Sequence, residues 1–135
     1  MASAQHGFTL TELAIVCAIV GILATIALPS WRARELQAGR LDAVAALTRL
    51  QTAQERHRAD HGLYAPQLAA LRIAPTSAQG RYALALELTG PDAYRASASA
   101  RADGPQAADR DCSVLTVEVR SGFAQAGPSA RCWNR

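Results

Sequence analysis

Between Phe8 and Leu28 the only polar side chains are Thr9, Thr11, Glu12 and Thr25, and Leu13 to Leu28 reads LAIVCAIVGILATIAL. A run of about 21 residues makes roughly 31 Å of helix, enough to cross a hydrocarbon core. The pattern then changes. Leu36, Gly39, Ala43, Ala46, Leu47, Leu50 and Ala53 recur at spacings of three or four, while Arg40, Asp42, Arg49, Glu55 and Arg56 fall mainly on the other sides. That is an amphipathic helix with one face for a core. Gly62 is a natural C-cap, so the expected helix runs from about Thr9 to His61. Pro29 cannot donate to the helical ladder, so a kink or loosened turn is expected there.

After a loop punctuated by Pro66 and Pro75, alternation takes over. Tyr82, Leu84, Leu86 and Leu88 alternate with smaller or polar residues, Gly90-Pro91-Asp92 reads as a turn, and Tyr94 to Ala102 is a weaker strand. Leu115, Val117 and Val119 mark a third strand within Ser113–Val119, and Ser121-Gly122 turns into a short fourth near Phe123. The fold class is α+β: one long N-terminal helix, half apolar and half amphipathic, packed on a small antiparallel sheet.

With 135 residues, the chain holds one compact domain beyond the apolar run. A domain of that size has a thin core and gains from a covalent staple. Of the three cysteines, Cys17 lies in the apolar run and reads as a small hydrophobe. Cys112 and Cys132 are one disulfide in an exported domain or two thiols in a reducing one. All fourteen basic residues are arginine, scattered without a dense run, and the formal charge is +3. Solvated surface charge is the default reading, and nucleic-acid binding is the sharper one.

No nucleophile elbow or phosphate loop is present, so the chain is not expected to be an enzyme and no cofactor is expected. His57 and His61, four apart with Asp60 between, would need further ligands to hold a metal and read as surface histidines at a helix end. Asp109, Arg110 and Asp111 read as a solvated turn rather than a calcium site. No metal site is expected.

The start of the chain carries the most specific signal. The leader MASAQHG has no Lys or Arg, and the apolar run is too long for a cleaved secretory signal. Glu12 stands at the edge of that run, where an unpaired carboxylate is costly. Thr9 and Glu12 have capping-box spacing. A positive amino terminus would neutralise Glu12 more directly, but only if the chain were cut just before Phe8.

GFTLTELAIVCAIVGILATIALPSW resembles the N-terminal signature of type IV prepilins and the related type II secretion pseudopilins, and RCWNR resembles the Cys-aromatic ending of PilE-like minor pilins. The resemblance implies a leader of residues 1–7 cleaved between Gly7 and Phe8, N-methylation of Phe8, and an assembly role for Glu12. It implies a transmembrane and filament-core helix over residues 8–30, and a periplasmic head over residues 31–135 pinned by a Cys112–Cys132 disulfide. It places the N-terminus in the cytoplasm, although Arg32 and Arg34 beyond the apolar run would by charge count alone favour the reverse. The implied partners are other pilin subunits, prepilin peptidase and the inner-membrane assembly machinery. The expected function is a structural subunit, a minor pilin, of a type IV pilus. Its alternatives are a type II secretion pseudopilin, or a minor pilin that takes up DNA through Arg131, Trp133 and Arg135.

Overall fold

The computed structural model describes residues 7–135; residues 1–6 of the expected leader, His6 among them, lie outside the described residues. The chain divides into two compact units, the first ending at Arg34 and the second running Glu35–Arg135, with the division inside helix α1 (Leu10–His61). In the first unit α1 continues through Pro29. Proline's missing N–H leaves the Thr25 carbonyl without its usual donor. Two hydroxyls bond back to the ladder nearby, Thr25 Oγ1 to Ile22 O at 2.7 Å and Ser30 Oγ to Ala27 O at 2.9 Å. The large apolar side chains from Phe8 to Trp31 are exposed, and the helix is long and apolar enough to cross a membrane.

In the second unit the rest of α1 packs on a four-stranded antiparallel meander. Its strands are β1 (Tyr82–Gly90), β2 (Ala93–Ala100), β3 (Val114–Arg120) and β4 (Phe123–Gly127), in spatial order 1-2-3-4. Register aligns Leu84, Ala98 and Leu115 across three strands, and Leu88, Tyr94 and Val119 in another row. Period-two alternation turns Leu84, Ala96, Ala98, Leu115 and Val117 toward the helix, where Ala43, Leu47 and Leu50 meet them. Alanines at the centre of β2 leave room for the helix to approach. The opposite face is polar, and Glu118 there pairs with Arg95 and Arg120.

The helix ends where Gly62 adopts φ +78° and its N–H bonds Arg58 O at 2.7 Å. Buried Gln54 then clamps the departing chain, giving its amide N–H to Ala65 O at 3.0 Å and accepting Ala65 N–H at 2.8 Å. A 3-10 turn at Leu68–Leu71 follows.

The polar side of α1 differs from the sequence expectation. Arg40 and Asp42 are buried, not solvent-facing. Segments distant in sequence close over them: Ser77 Oγ and the Gln79 N–H bond the Asp42 carboxylate, and Asp109 takes Arg40. Asp109 is therefore not part of a solvated turn; it is buried in a bidentate ion pair.

Candidate functional site

Two regions carry the candidate residues: the start of α1 and the C-terminal end of the second unit. At the first, the capping box is formed. Glu12 N–H donates to Thr9 Oγ1 at 3.3 Å, while Thr9 N–H and Thr9 Oγ1 donate to Glu12 Oε2 at 3.4 and 3.3 Å. All these groups are exposed, so the box stabilises the helix start by about 1 kcal/mol. Phe8 is 79% exposed, and among the described residues nothing lies within 4 Å of a side chain built on Gly7. Nothing among the described residues therefore demands glycine at position 7.

At the second region, Cys112 and Cys132 are disulfide-bonded with Cα atoms 5.4 Å apart. The bond ties the 3-10 turn Arg110–Cys112 to the 3-10 turn Ala130–Trp133. Closing a separation of 20 residues contributes on the order of 3 kcal/mol in the chain-entropy account. Arg40 clasps the same place from α1. Its Nε and Nη2 donate to the two Asp109 oxygens at 2.7 and 2.9 Å, and Nη1 donates to Arg131 O at 3.2 Å. Gln106 adds a bond to Asp109 at 3.0 Å and one to Leu36 O at 2.8 Å. The Arg40 hydrogen bonds hold the Asp109 carboxyl below its usual range against the opposing effect of burial. Burial pushes the neighbouring Tyr82 phenol up to about 12, so it stays protonated.

The arginines sort by partner. Arg40, Arg58, Arg95, Arg101 and Arg120 are in ion pairs with Asp or Glu. Arg110, Arg131 and Arg135 are exposed and form no such pair among the described residues. The disulfide brings Arg110 and Arg131 to its two sides, within about 16 Å by chain geometry alone. Asp111 is the exposed carboxylate between them.

Trp133 corrects the sequence expectation of a stacking surface. It is 7% exposed, belongs to the core, and donates its indole N–H to Gly127 O at 2.8 Å. With the ring sealed against β4's end, no face is free to stack on a base.

A second set of unpaired arginines was not singled out from the sequence. Arg49 and Arg72 line one cleft between α1 and the following loop; Arg56 and Arg72 line the adjoining one with His57, Asp60 and His61. The available signal was the seven-residue spacing of Arg49 and Arg56, two turns on one helix side. Arg72 sits in a left-handed position, φ 55°, closing the 3-10 turn.

Residues 29–116 match the family described as type IV minor pilin ComP, DNA uptake sequence receptor. Residues 2–28 match the prokaryotic N-terminal methylation motif. The type IV major pilin protein PilE of Neisseria gonorrhoeae is 35% identical over 83 residues, 61% of this chain and 50% of that protein. Type II secretion system core protein G of Vibrio cholerae is 32% identical over 88 residues, 65% of this chain and 53% of that protein. The fimbrial protein of Neisseria meningitidis serogroup A is 34% identical over 89 residues, 65% and 52% respectively. The chain spans about half the length of these relatives. With the methylation motif on the apolar helix and the family match reaching from Pro29 to Thr116 at the start of β3, the chain belongs to the ComP family of type IV minor pilins.

Proposed function

We propose that this protein is a structural subunit of a type IV pilus, not an enzyme, and that its head contributes phosphate contacts to DNA. The observation that carries the reading is the family match over residues 29–116, joined to unpaired arginines held at one disulfide. In this reading prepilin peptidase cuts between Gly7 and Phe8, and Phe8 is N-methylated. Residues 8–30 anchor the subunit in the inner membrane with its N-terminus cytoplasmic, and later lie in the filament core. Pro29 loosens the helix where the anchor gives way to the head. Glu12 meets the Phe8 amine of a neighbouring subunit, which offsets the cost of a carboxylate in apolar surroundings. Other pilins and the assembly machinery are its partners.

Arg131 and Arg135, with Arg110, are the proposed DNA contacts; Arg49, Arg56 and Arg72 form a second basic surface. Guanidinium–phosphate contact releases counterions, so binding must weaken with salt. The similarity to type II secretion core protein G keeps a pseudopilin as the alternative, but the ComP match covers most of the head and favours the pilus.

The test is fluorescence anisotropy of a labelled mixed-sequence duplex with the full chain in detergent. Neutralising three phosphates gives a log–log salt slope of about −2.7. Arg110→Glu, Arg131→Glu and Arg135→Glu together should weaken binding at least tenfold at low salt. Unchanged binding in that triple variant, with loss in the Arg49, Arg56 and Arg72 counterpart, would move the contact to the α1–loop clefts. No binding by wild type at low salt would remove DNA from the proposal.

A further inference from the structure

Each outer edge of the meander keeps an open stretch of backbone. The β3–β4 hairpin turns through Ser121 and Gly122, both at positive φ, 50° and 82°. In a two-residue turn of that kind the closing pair, here Arg120 and Phe123, exchanges both hydrogen bonds. Alternation then sends the N–H and C=O groups of Ala124 and Ala126 outward, and both residues are exposed. On β1, Tyr82 O accepts from Ser77 N–H at 2.9 Å and Leu84 N–H donates to Pro75 O at 2.7 Å, so alternate residues from Tyr82 onward face out. That loop covers Tyr82 to Leu84 and leaves Leu86 and Leu88 open. Among the described residues no backbone group bonds the outward sides of Ala124, Ala126, Leu86 or Leu88.

The two openings lie in the same rows of the sheet. Leu88, Tyr94, Val119 and Ala124 align across it, and so do Leu86, Ala96, Val117 and Ala126. β1 and β4 run in opposite directions, so a second copy continuing the sheet past β4 presents its β1 antiparallel and in step.

We propose that β4 of one copy adds to β1 of a second, with Ala124 opposite Leu88 and Ala126 opposite Leu86, as a head-to-tail contact between heads. Each of these pairs exchanges two backbone hydrogen bonds. On the helix-facing side the small alanines leave room for the exposed Leu88 of the second copy. On the other side Gln125 comes opposite Glu87, an exposed carboxylate without an ion pair among the described residues. Nothing along β4 wards off such pairing: FAQAG has no charge and no proline, and its register with β3 has no bulge. Pro128, with no N–H, then ends the edge. A second copy fits better than an unrelated extended segment, because one molecule carries both openings with matching length, rows and opposite direction. Being head-to-tail, the contact leaves one free edge of each kind and does not close on itself. It uses neither the arginines nor the apolar helix of the function proposed above, and stands or falls without them.

Cross-linking tests the register. Gln125 and Glu87 of the second copy form a non-hydrogen-bonded pair, whose Cα atoms stand about 4.5 Å apart, within the range a disulfide spans. Full-length Gln125→Cys and Glu87→Cys chains, each also carrying Cys17→Ser, are mixed in detergent and oxidised mildly. The mixture should form a disulfide-linked dimer at least tenfold faster than either chain alone. It should also be at least tenfold faster than a mixture in which Ala85→Cys replaces Glu87→Cys, one pair out of step on the same face; this control cancels cross-linking due to shared micelles. Ala126→Pro removes an outward N–H without touching the ladder to β3. Near-ultraviolet circular dichroism should show its head intact while the mixed dimer falls to the control rate. Equal rates with Glu87→Cys and Ala85→Cys overturn the register, and undiminished cross-linking in folded Ala126→Pro overturns the backbone pairing. A mixed dimer no faster than the single chains overturns the second copy as occupant and leaves both edges to a different partner.

Discussion

Replacing Asp109 with alanine would leave Arg40 charged, buried and without its bidentate partner. Gln106 would lose an acceptor as well. Removing one partner of a buried ion pair costs about 3–5 kcal/mol, because the remaining charge keeps its desolvation penalty without compensation. For a head of this size each kcal/mol moves the unfolding midpoint by about 4–8 °C, so Asp109→Ala should lower it by about 12 °C or more. Near-ultraviolet circular dichroism of the full chain in detergent, disulfide intact, reports the transition. Arg40→Met with Asp109→Leu should recover most of the loss, since it removes both charges together. It would still lack the bonds from Arg40 to Arg131 O and from Gln106 to Asp109, a deficit of about 1 kcal/mol each. A cost below about 1 kcal/mol for Asp109→Ala, or a double variant no better than the single, would refute the clasp.

Gly39→Ala should destabilise the head even though alanine is the better helix former by about 0.5–1 kcal/mol, because its Cβ would collide with the buried Gln106 side-chain amide; chemical denaturation gives the sign. Asp109 is held below its normal pKa by Arg40, so its stabilisation is complete above the unfolded value near pH 4 and fades as pH falls through the folded one. Midpoints should be flat from about pH 5 to 7 and drop in stronger acid, less steeply in Asp109→Asn. Reducing Cys112–Cys132 should lower stability by on the order of 3 kcal/mol and weaken DNA binding in step, read by anisotropy before and after reductant. Glu12→Ala should leave membrane insertion and leader removal intact while depleting the subunit from sheared pili relative to the membrane pool; equal ratios would leave Glu12 only its capping role, worth about 1 kcal/mol.

What could be read from the sequence was whatever short-range pattern controls. Gly62 marks the helix end, and the alternations around Leu84 and Val117 mark strands, because each depends on residues a few positions away. Arg40 and Asp42 escaped because their partners are 69 and 35 residues distant. Helical periodicity assigns a charge to the wet side unless something covers it, and the covering loops have no period of their own. Trp133 escaped for a similar reason, its N–H acceptor being a main-chain carbonyl that no side-chain pattern announces. The disulfide was legible through its export context, but the arginines it gathers were not, since partnering elsewhere decides which of them remain free.

The two tryptophans make the chain its own spectroscopic probe. Trp133 is sealed into the head, whereas Trp31, at the end of the apolar run, is 71% exposed in the isolated chain. Emission from Trp133 should shift red when the head opens and be indifferent to what surrounds the anchor. Emission from Trp31 should track water, detergent, lipid or a neighbouring subunit while the head stays closed. Trp31→Phe and Trp133→Phe thus separate two events, loss of tertiary packing and change of milieu, in one cuvette and without an added dye.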